Sequence, residues 1–334
     1  MTKLTENKIR PQHLIEKQKV FLKVDNGRML SKYEEFVHVC CPACGEDKPY
    51  DKFIYNGMKY VECSLCETFY INPRPTSEIL GWFYAGSPNY EYWNSFVFPA
   101  SEDIRRESIF VPRVNRLLDL CSKYKVETNT LLEIGPGFGT FCEEVNSRNI
   151  FERVVAVEPN KDLAETCRSK GFEVIEKPVE EMYLNNDDLF DIVANFEVLE
   201  HLFSPFEFLE AAVGCLKLGG LLMLTCPNGQ GFDVETLGVH SDTVDHEHLN
   251  YFNPKSIKIA FERVGLEVLE ISTPGLLDAD LVRNKILSGD FDISNQPFLK
   301  KVLIDDWEKL GTDFQNFLVD NSLSSNMWIV ARRV

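Results

Sequence analysis

The stretch LLEIGPGFGT at positions 131–140 decides the fold that we expect for this chain. It leads from an apolar, strand-like run straight into a helix, with Glu133 followed by Gly135, Gly137 and Gly139. Glycine is needed in such a turn because a side chain would keep the backbone from closing on a ligand at the carboxyl edge of a sheet. The spacing differs from the G-x-G-x-x-G of nicotinamide sites, so it favours another cofactor.

A second carboxylate lies where the next strand is expected to end. Glu158 directly follows the apolar run Arg153 to Val157. A carboxylate at that place in a doubly wound sheet can accept hydrogen bonds from both hydroxyls of a ribose. The two features together indicate a cofactor that contains a nucleoside, whereas the glycines alone could also form a purely structural turn.

From residue 130 onward, apolar runs of strand length alternate with amphipathic helical stretches, which predicts an α/β fold built of βα units. The predicted strands are Thr130 to Ile134, Arg153 to Val157, Phe172 to Ile175, Phe190 to Asn195, Gly220 to Thr225, Leu266 to Ile271 and Met327 to Ala331. Helices are predicted at about 140–149, 160–169, 205–217 and 254–264, with Asn253 as the N-cap of the last one. We also expect a helix over Pro297 to Asp320.

The pattern E-x-G-x-G-x-G at positions 133–139 resembles the first motif of class I methyltransferases that depend on S-adenosylmethionine (SAM). The resemblance continues to residues 190–202, which contain the string VLEHL. It implies a Rossmann-like sheet of seven strands, the last one antiparallel, with helices on both faces, and an enzyme of the EC 2.1.1 type. The residues that it implies for SAM binding are Glu133, Gly135, Gly137, Phe138, Gly139, Glu158, Pro159, Glu180, Asn195 and Phe196.

Five of the ten cysteines lie between residues 40 and 66, and four of them form two C-x-x-C knuckles. The predicted ligands are Cys41, Cys44, Cys63 and Cys66. This spacing is typical of a zinc ribbon, in which four thiolates complete a tetrahedral shell. Cys40 is an alternative to Cys41, and the second knuckle has Glu67 where the first has Gly45. A closed shell has no open position for a substrate, so we expect the zinc to be structural.

A zinc ribbon, the string Asn-Pro-Arg-Pro at 72–75 and a SAM domain together resemble methyltransferases of deoxysugar and surface-polysaccharide pathways, among them the sugar C-methyltransferases. The resemblance implies that the N-terminal module helps to cover the substrate. The predicted division is an N-terminal segment with the zinc ribbon at 1–75, whose ligands lie within 41–66, an aromatic-rich helical linker or lid at 76–111, and a methyltransferase domain at 112–334. A helical insertion is expected at about 275–320.

Three histidines fall in the loop that follows the fifth predicted strand. The string EHLNYF at 247–252 resembles the element that carries the proposed base of the sugar C-methyltransferases. It implies His248 as the base and Glu247 as its partner, with His246 in place of an expected Asp and Tyr251 as a further hydroxyl. A histidine suits proton removal near neutral pH. Two other interpretations stay open: a divalent metal site that includes His246 and His248, and structural capping of the next helix.

The formal net charge of −17 disfavours a nucleic-acid partner, because such a chain repels phosphate backbones. Residues 1–10 lack the apolar stretch of a signal peptide and no apolar run is long enough to span a bilayer, so we expect a cytoplasmic protein without a membrane partner. In such a reducing compartment, a tight cysteine cluster indicates a metal site. The lead hypothesis is methyl transfer to a small molecule, such as a nucleotide-linked sugar. The alternatives are an RNA methyltransferase that uses the ribbon for recognition and a non-catalytic SAM-binding scaffold. The oligomeric state and the acceptor atom stay open.

Overall fold

A computed structural model describes residues 5–334, so residues 1–4 of the predicted N-terminal segment lie outside the described part. The strands are β1 Pro49–Tyr55, β2 Met58–Cys63, β3 Phe69–Ile71, β4 Thr130–Ile134, β5 Arg153–Val157, β6 Glu173–Ile175, β7 Phe190–Phe196, β8 Leu216–Pro227, β9 Asn250–Tyr251, β10 Leu266–Ser272 and β11 Asn326–Arg333. The helices are α1 Glu6–Ile9, α2 Gln12–Leu30, α3 Ser77–Ala85, α4 Pro88–Tyr92, α5 Phe98–Arg105, α6 Val111–Tyr124, α7 Thr140–Ser147, α8 Lys161–Ser169, α9 Pro205–Gly214, α10 Phe232–Leu237, α11 Pro254–Arg263, α12 Asp278–Ser288, α13 Pro297–Lys300 and α14 Trp307–Asp320.

The chain forms two compact units, each made of three segments. One unit, here called the sheet unit, holds Asp103–Cys226, Ile257–Ile271 and Trp328–Val334. The other, here called the cysteine unit, holds the chain up to Glu102 together with Pro227–Ser256 and Ser272–Met327. Among the described residues, no helix has the length and apolar character that a bilayer crossing requires.

Seven strands form one mixed sheet in the order β10-β11-β8-β7-β4-β5-β6. β4 is an interior strand that pairs in parallel with β5 and β7, and β8 pairs in parallel with β7. The last strand, β11, inserts between β8 and β10, and the predicted Rossmann-like sheet with an antiparallel last strand is confirmed. Because parallel strands point their carboxyl ends to the same edge, the turns after β4, β5 and β7 meet at one edge.

The apolar runs of this sheet are buried on both faces, as expected for strands covered by helices. Core side chains from β4 and β7 pack with those of the amphipathic helices α6 and α7; examples are Leu131, Ile192, Leu117 and Phe141. The five cysteines outside residues 40–66 are all buried; they are Cys121, Cys142, Cys167, Cys215 and Cys226. Three of them, Cys121, Cys142 and Cys167, pack in this core as small apolar side chains.

The strands and helices predicted from residue 130 onward agree with the structure apart from their ends. The helix predicted over 205–217 ends at Gly214, because β8 already begins at Leu216, ahead of the predicted start at Gly220. The predicted N-cap before α11 is present: the Asn253 side chain accepts a hydrogen bond from the amide of Ser256 at 2.8 Å. The helix predicted over Pro297 to Asp320 is present as α13, a π-helical turn and α14.

The cysteine unit contains a four-stranded sheet in the order β1-β2-β3-β9. Its first three strands are antiparallel neighbours in the chain, whereas β9 comes from the distant loop that contains the predicted base. The segment before the cysteines is mainly the helix α2, and an isolated bridge pairs Val37 with Arg74. The helices α10, α12 and α14 pack on one another around Leu237, Val282 and Leu303.

Candidate functional site

The glycine turn follows β4 with a left-handed backbone. Gly135 and Gly137 have φ of +73° and +56°, which strains any residue with a side chain. A Cβ on Gly135 would lie 2.7 Å from Cγ2 of Val198, so the turn is closed on that side. A Cβ on Gly137 would meet nothing within 4 Å. The turn therefore leaves backbone open to a ligand at Gly137 and demands glycine at Gly135.

Glu133 lies on β4 and is almost fully buried. Burial raises the pKa of its carboxyl to about 7, although the Cys142 thiol donates to Oε2 at 2.9 Å and the charge of Arg113 lowers the pKa. A carboxyl with this pKa gains a proton or an ionic partner at little cost near neutral pH. It is suited to hold a cationic ligand group.

Glu158 follows the last residue of β5 and is also buried. Burial raises its pKa to about 7, and its Oε1 accepts a hydrogen bond from the amide of Asn160 at 2.9 Å. Of the other predicted cofactor contacts, Pro159 is exposed, and Glu180 is an exposed residue of the short helical turn Val179–Glu181, in which Val179 is buried.

The end of β7 supplies a buried amide and a ring. Asn195 donates through Nδ2 to the carbonyl of Ile134 at 2.8 Å, while its Oδ1 is buried without a hydrogen-bond partner among the described residues. Phe196 packs beside Phe141, with the guanidinium of Arg113 4.5 Å from its ring centre. The sequence did not identify Arg113, which is buried on α6; only the position of this arginine in an otherwise apolar helix face could have suggested it.

These residues fit SAM by their donor set. The turn at Gly137 admits a ligand against the backbone, and the two buried carboxyls match the ammonium group and the ribose hydroxyls of such a cofactor. The unpartnered Oδ1 of Asn195 offers a further acceptor at the same strand ends. The candidate residues for cofactor binding thus lie on β4 and β7 and directly after β4 and β5.

The four predicted zinc ligands converge within the cysteine unit. Sγ of Cys41 lies 3.5 Å from Sγ of Cys66, and Sγ of Cys44 lies 3.6 Å from Sγ of Cys63. One atom from each residue lies within 4.8 Å of all the others. Tetrahedral zinc with Zn–S bonds of about 2.3 Å places its sulfurs about 3.8 Å apart, so the donor set fits zinc. The alternative ligand Cys40 is exposed and outside the group.

The two knuckles have the same backbone form. Gly45 and Glu67 follow the second cysteine of each knuckle with φ of +79° and +62°. Their amides donate to the carbonyls of Cys41 and Cys63 at 2.9 Å. The glutamate therefore takes the left-handed position usually given to glycine, and its carboxylate accepts a hydrogen bond from Gln230 at 3.0 Å.

In the loop of the cysteine unit, the backbone fixes the tautomer of His248. Its Nδ1 lies 2.7 Å from the carbonyl oxygen of Thr243. A carbonyl only accepts, so Nδ1 carries a proton, and in the neutral tautomer Nε2 is the ring nitrogen with the lone pair. The amides of Glu247 and His248 both donate to Oδ1 of Asp245, at 2.8 and 2.9 Å, which holds the segment in a bend.

Glu247 is held by residues that the sequence did not identify. Nδ2 of Asn89 donates to its Oε1 at 2.8 Å. The amide of Asn89 in turn donates to the fully buried Asp25 at 3.1 Å, and Gln18 donates to the Asn89 side chain at 2.9 Å. Burial and the charge of Asp245 raise the pKa of Glu247 to about 8. No local signal marks Asn89, which is 158 positions from its partner.

His246 and Tyr251 are more deeply buried than His248. His246 packs edge-on against Phe83 with ring centres 5.6 Å apart, burial lowers its pKa, and its Nε2 has no hydrogen-bond partner among the described residues. Among those residues, His246 belongs to no group of potential metal ligands. The hydroxyl of Tyr251 donates to the carbonyl of Thr243 at 3.2 Å, so it supports the same carbonyl that fixes His248.

The family to which the chain belongs is identified by a match that begins in the sheet unit's first segment and extends beyond it. A family described as a methyltransferase domain matches residues 104–271, half of the chain. The chain belongs to this family. The predicted class I SAM-dependent methyltransferase fold and the predicted enzyme class are confirmed at the level of the family, and the match covers the glycine turn, Glu158 and the end of β7.

Two curated proteins are similar over parts of the chain. The C-methyltransferase NovU of Streptomyces niveus is 27% identical over 179 residues, which are 52% of this chain and 41% of that protein. A ubiquinone biosynthesis O-methyltransferase of Caulobacter vibrioides is 30% identical over 114 residues, which are 33% of this chain and 45% of that protein. The matched part of the chain thus spans less than half the length of either relative.

Solved structures are similar as well. One is a S-adenosylmethionine-dependent methyltransferase of Clostridium acetobutylicum, with a TM-score of 0.48 and 12% identity over 72% of this chain and 98% of that one. Another is a phosphoethanolamine N-methyltransferase of Haemonchus contortus in complex with S-adenosyl-L-methionine, with a TM-score of 0.45 and 14% identity over 66% of this chain and 52% of that one.

Proposed function

We propose that this protein transfers the methyl group of SAM to a small molecule, a nucleotide-linked sugar or a surface-polysaccharide precursor, with His248 as the general base. The fixed tautomer of His248 carries this proposal, because Nδ1–H donates to a backbone carbonyl and leaves Nε2 as the proton acceptor. The similarity to a C-methyltransferase and the acidic charge of −17 support a small-molecule acceptor over RNA.

The cofactor residues are proposed from the strand ends. Glu133 orients the ammonium group, Glu158 accepts hydrogen bonds from the ribose hydroxyls, and the backbone from Gly135 to Gly139 closes around the methionine part. Phe138, Pro159, Glu180, Asn195 and Phe196 complete the proposed contacts. When bound, SAM supplies an electrophilic methyl group attached to a sulfonium. The chain itself excludes water and holds the acceptor in line with that group.

In the loop, each residue has a proposed role. His248 takes the proton of the acceptor at Nε2, and Glu247 orients the acceptor or the imidazole. His246 is a neutral buried ring that packs beside the loop, and Tyr251 supports the Thr243 carbonyl through its hydroxyl. The imidazolium formed on His248 is stabilised by the carbonyl at Nδ1 and by Asp245, whose Oδ2 lies 3.7 Å from Nδ1.

We propose that Cys41, Cys44, Cys63 and Cys66 bind one structural zinc ion. The Sγ distances and the closed set of four sulfurs support this, since no open position is left for a substrate. Ten unpaired cysteines also support a cytoplasmic location, because thiols persist in a reducing compartment. Metal content by mass spectrometry of the purified protein is expected to give one zinc per chain, and a metal-free protein with a native fold would refute the site.

The function is tested by incubating the zinc-loaded protein with labelled SAM and fractionated pools of nucleotide sugars, other metabolites and cellular RNA. We expect label in the nucleotide-sugar pool, in a product whose mass is increased by one methyl group. Label in the RNA pool would support the RNA methyltransferase alternative. Saturable SAM binding with no label in any pool would support a non-catalytic scaffold.

A further inference from the structure

We propose that Asn253 and Arg74 are positioning residues that fasten the Glu247–His248 segment to the cysteine module, residues 41–74. The inference rests on the proposed function only for the role of His248. The contacts that carry it lie entirely within the cysteine unit. It assigns the module a task beyond metal binding, namely to hold the loop that contains the base.

The first contact is a shared sheet. β9 comes two residues after His248 and pairs with β3 of the module, with Tyr251 opposite Phe69 and Asn250 opposite Tyr70. The rings of Phe69 and Tyr251 are stacked, with centres 4.1 Å apart and planes 8° apart. A two-residue strand has little stability of its own, so its pairing depends on the strand that it joins.

Arg74 reinforces the pairing of β9 with β3 through hydrogen bonds to β9 and to the residue before it. Its guanidinium is buried and donates to the side chain of Asn250 at 2.9 Å and to the carbonyl of Leu249 at 3.3 Å. The same group donates through Nε to the carbonyl of Ile71 at 3.1 Å. The planar guanidinium therefore joins β3 to the residue that directly follows His248, and a lysine could not reproduce that geometry.

Asn253 connects the other side of β9 to the second knuckle. Its Oδ1 caps α11, and its Nδ2 donates to the carbonyl of Cys66 at 3.0 Å. The neighbouring Glu67 accepts from Gln230 and from Lys255, which belong to the same segment as the loop. The glutamate that replaces a glycine in this knuckle thus bonds to the segment on which the base lies.

The start of the loop is held as well. The hydroxyl of Tyr60 on β2 donates to the carbonyl of Asp245 at 2.7 Å, and the carboxylate of Asp245 accepts from the amides of Glu247 and His248. Strands of the module therefore hold the loop on both sides of His248. A change in the knuckle is expected to reach the base through these bonds.

Hydrogen exchange of the full-length zinc-loaded protein tests the inference without an acceptor. In Asn253→Ser the helix cap is kept and the bond to Cys66 is lost. We expect faster exchange of amides 244–252, unchanged zinc content and S-adenosylhomocysteine affinity within about two-fold. With an acceptor from the labelling experiment, kcat is expected to be lower by about ten-fold. The matched control is Asn321→Ser, because Asn321 also donates through Nδ2 to a carbonyl, at 2.8 Å, but within its own helix end.

Two further measurements guard against a folding artefact. Arg74→Lys is expected to speed the exchange of amides 244–252 as Asn253→Ser does. Removal of zinc from the wild-type protein by a chelator is expected to expose amides 244–252 while β4 stays protected. Unchanged exchange of 244–252 in Asn253→Ser and in the chelated protein would overturn the inference. If no pool is methylated but exchange changes as expected, the proposed function is wrong, whereas the attachment of the Glu247–His248 segment to the cysteine module is supported.

Discussion

The sheet unit and the cysteine unit organise their polar residues in different ways. In the sheet unit, Glu133, Glu158 and Asn195 belong to or directly follow parallel strands that are buried on both faces, so the sheet itself brings them to one edge. In the cysteine unit, Glu247 and His248 lie in a bend whose shape depends on hydrogen bonds to Asp245, Thr243 and Asn89. One site is built by regular structure and the other by individual side chains.

This difference determines which mutations are expected to disturb each candidate site. A site made of strand ends is disturbed mainly by steric changes in the turns, because the strands keep their register. A site made of a bend is disturbed by loss of single hydrogen bonds, because each one fixes part of the geometry. Binding of the cofactor and proton removal from the acceptor are therefore expected to be separable by mutation.

The largest expected effect is on the bend. His248→Ala removes the proposed proton acceptor, and we expect kcat to fall by about 100- to 10,000-fold, the range usual for loss of a general base. S-adenosylhomocysteine affinity, measured by calorimetry, is expected to stay within about two-fold. His240→Ala, a change in the same segment, serves as the control. Turnover that survives in His248→Ala would remove this residue as the base.

A change in the glycine turn is expected to weaken cofactor binding, which His248→Ala leaves nearly unchanged. Gly135→Ala forces a Cβ to 2.7 Å from Val198 at a φ of +73°, and strain of this kind weakens S-adenosylhomocysteine binding by about 100-fold. Gly171→Ala is the matched control, since its φ is +88° and a Cβ there meets nothing within 4 Å. Equal losses of affinity in both variants would mean that backbone strain alone matters, and the closed turn would lose its proposed role.

The sheet unit could be predicted from sequence because its signals are local. The runs Thr130 to Ile134 and Arg153 to Val157 are strands with the predicted bounds, since short apolar runs that alternate with amphipathic helical stretches have few alternatives. The position of Glu158, directly after the strand Arg153 to Val157, was predicted from the same pattern. Only the ends differed, as at Gly214, where the chain enters a strand earlier than its polarity indicates.

The supports of the bend could not be predicted, for a physical reason. Asn89 and Arg74 contact residues 158 and 176 positions away, and neither sits in a periodic pattern that would reveal the contact. β9 has two residues, too few to show the alternation of a strand. The sequence therefore indicates the candidate residues for chemistry, whereas the side chains that position these candidates are found only once distant segments are brought together.

The raised pKa values of the two buried carboxyls predict that cofactor affinity depends on pH. The pKa values of Glu133 and Glu158 are raised to about 7 by burial, and a bound ammonium or hydroxyl favours the ionised form. Each carboxyl is protonated below that pH and must lose its proton on binding, so affinity rises with pH. Between pH 6 and pH 8 we expect S-adenosylhomocysteine affinity to rise by about ten-fold for each carboxyl.

Calorimetry over this pH range separates the two contributions. Glu133→Gln is expected to lower the affinity at pH 8 and to keep only the part of the pH dependence that Glu158 provides. Glu173→Gln is the control, because Glu173 is exposed and paired with Arg153 at 2.6 Å. An affinity that is flat between pH 6 and pH 8 in the wild-type protein would contradict the assignment of both carboxyls.

The smallest effect concerns the support of Glu247. Asn89→Ala removes the hydrogen bond at 2.8 Å that lowers the pKa of Glu247, while burial and the nearby charges of Asp245 and Asp25 continue to raise it. The pKa, about 8 in the wild type, is then expected to rise, which moves the acidic limb of the kcat profile upward by roughly 0.5–1 pH unit. A merely structural role would lower kcat at all pH values alike. Gln18→Ala, which leaves the bond between Asn89 and Glu247 in place, is expected to move the limb less, and an unshifted profile in Asn89→Ala would show that Glu247 does not need to ionise for turnover.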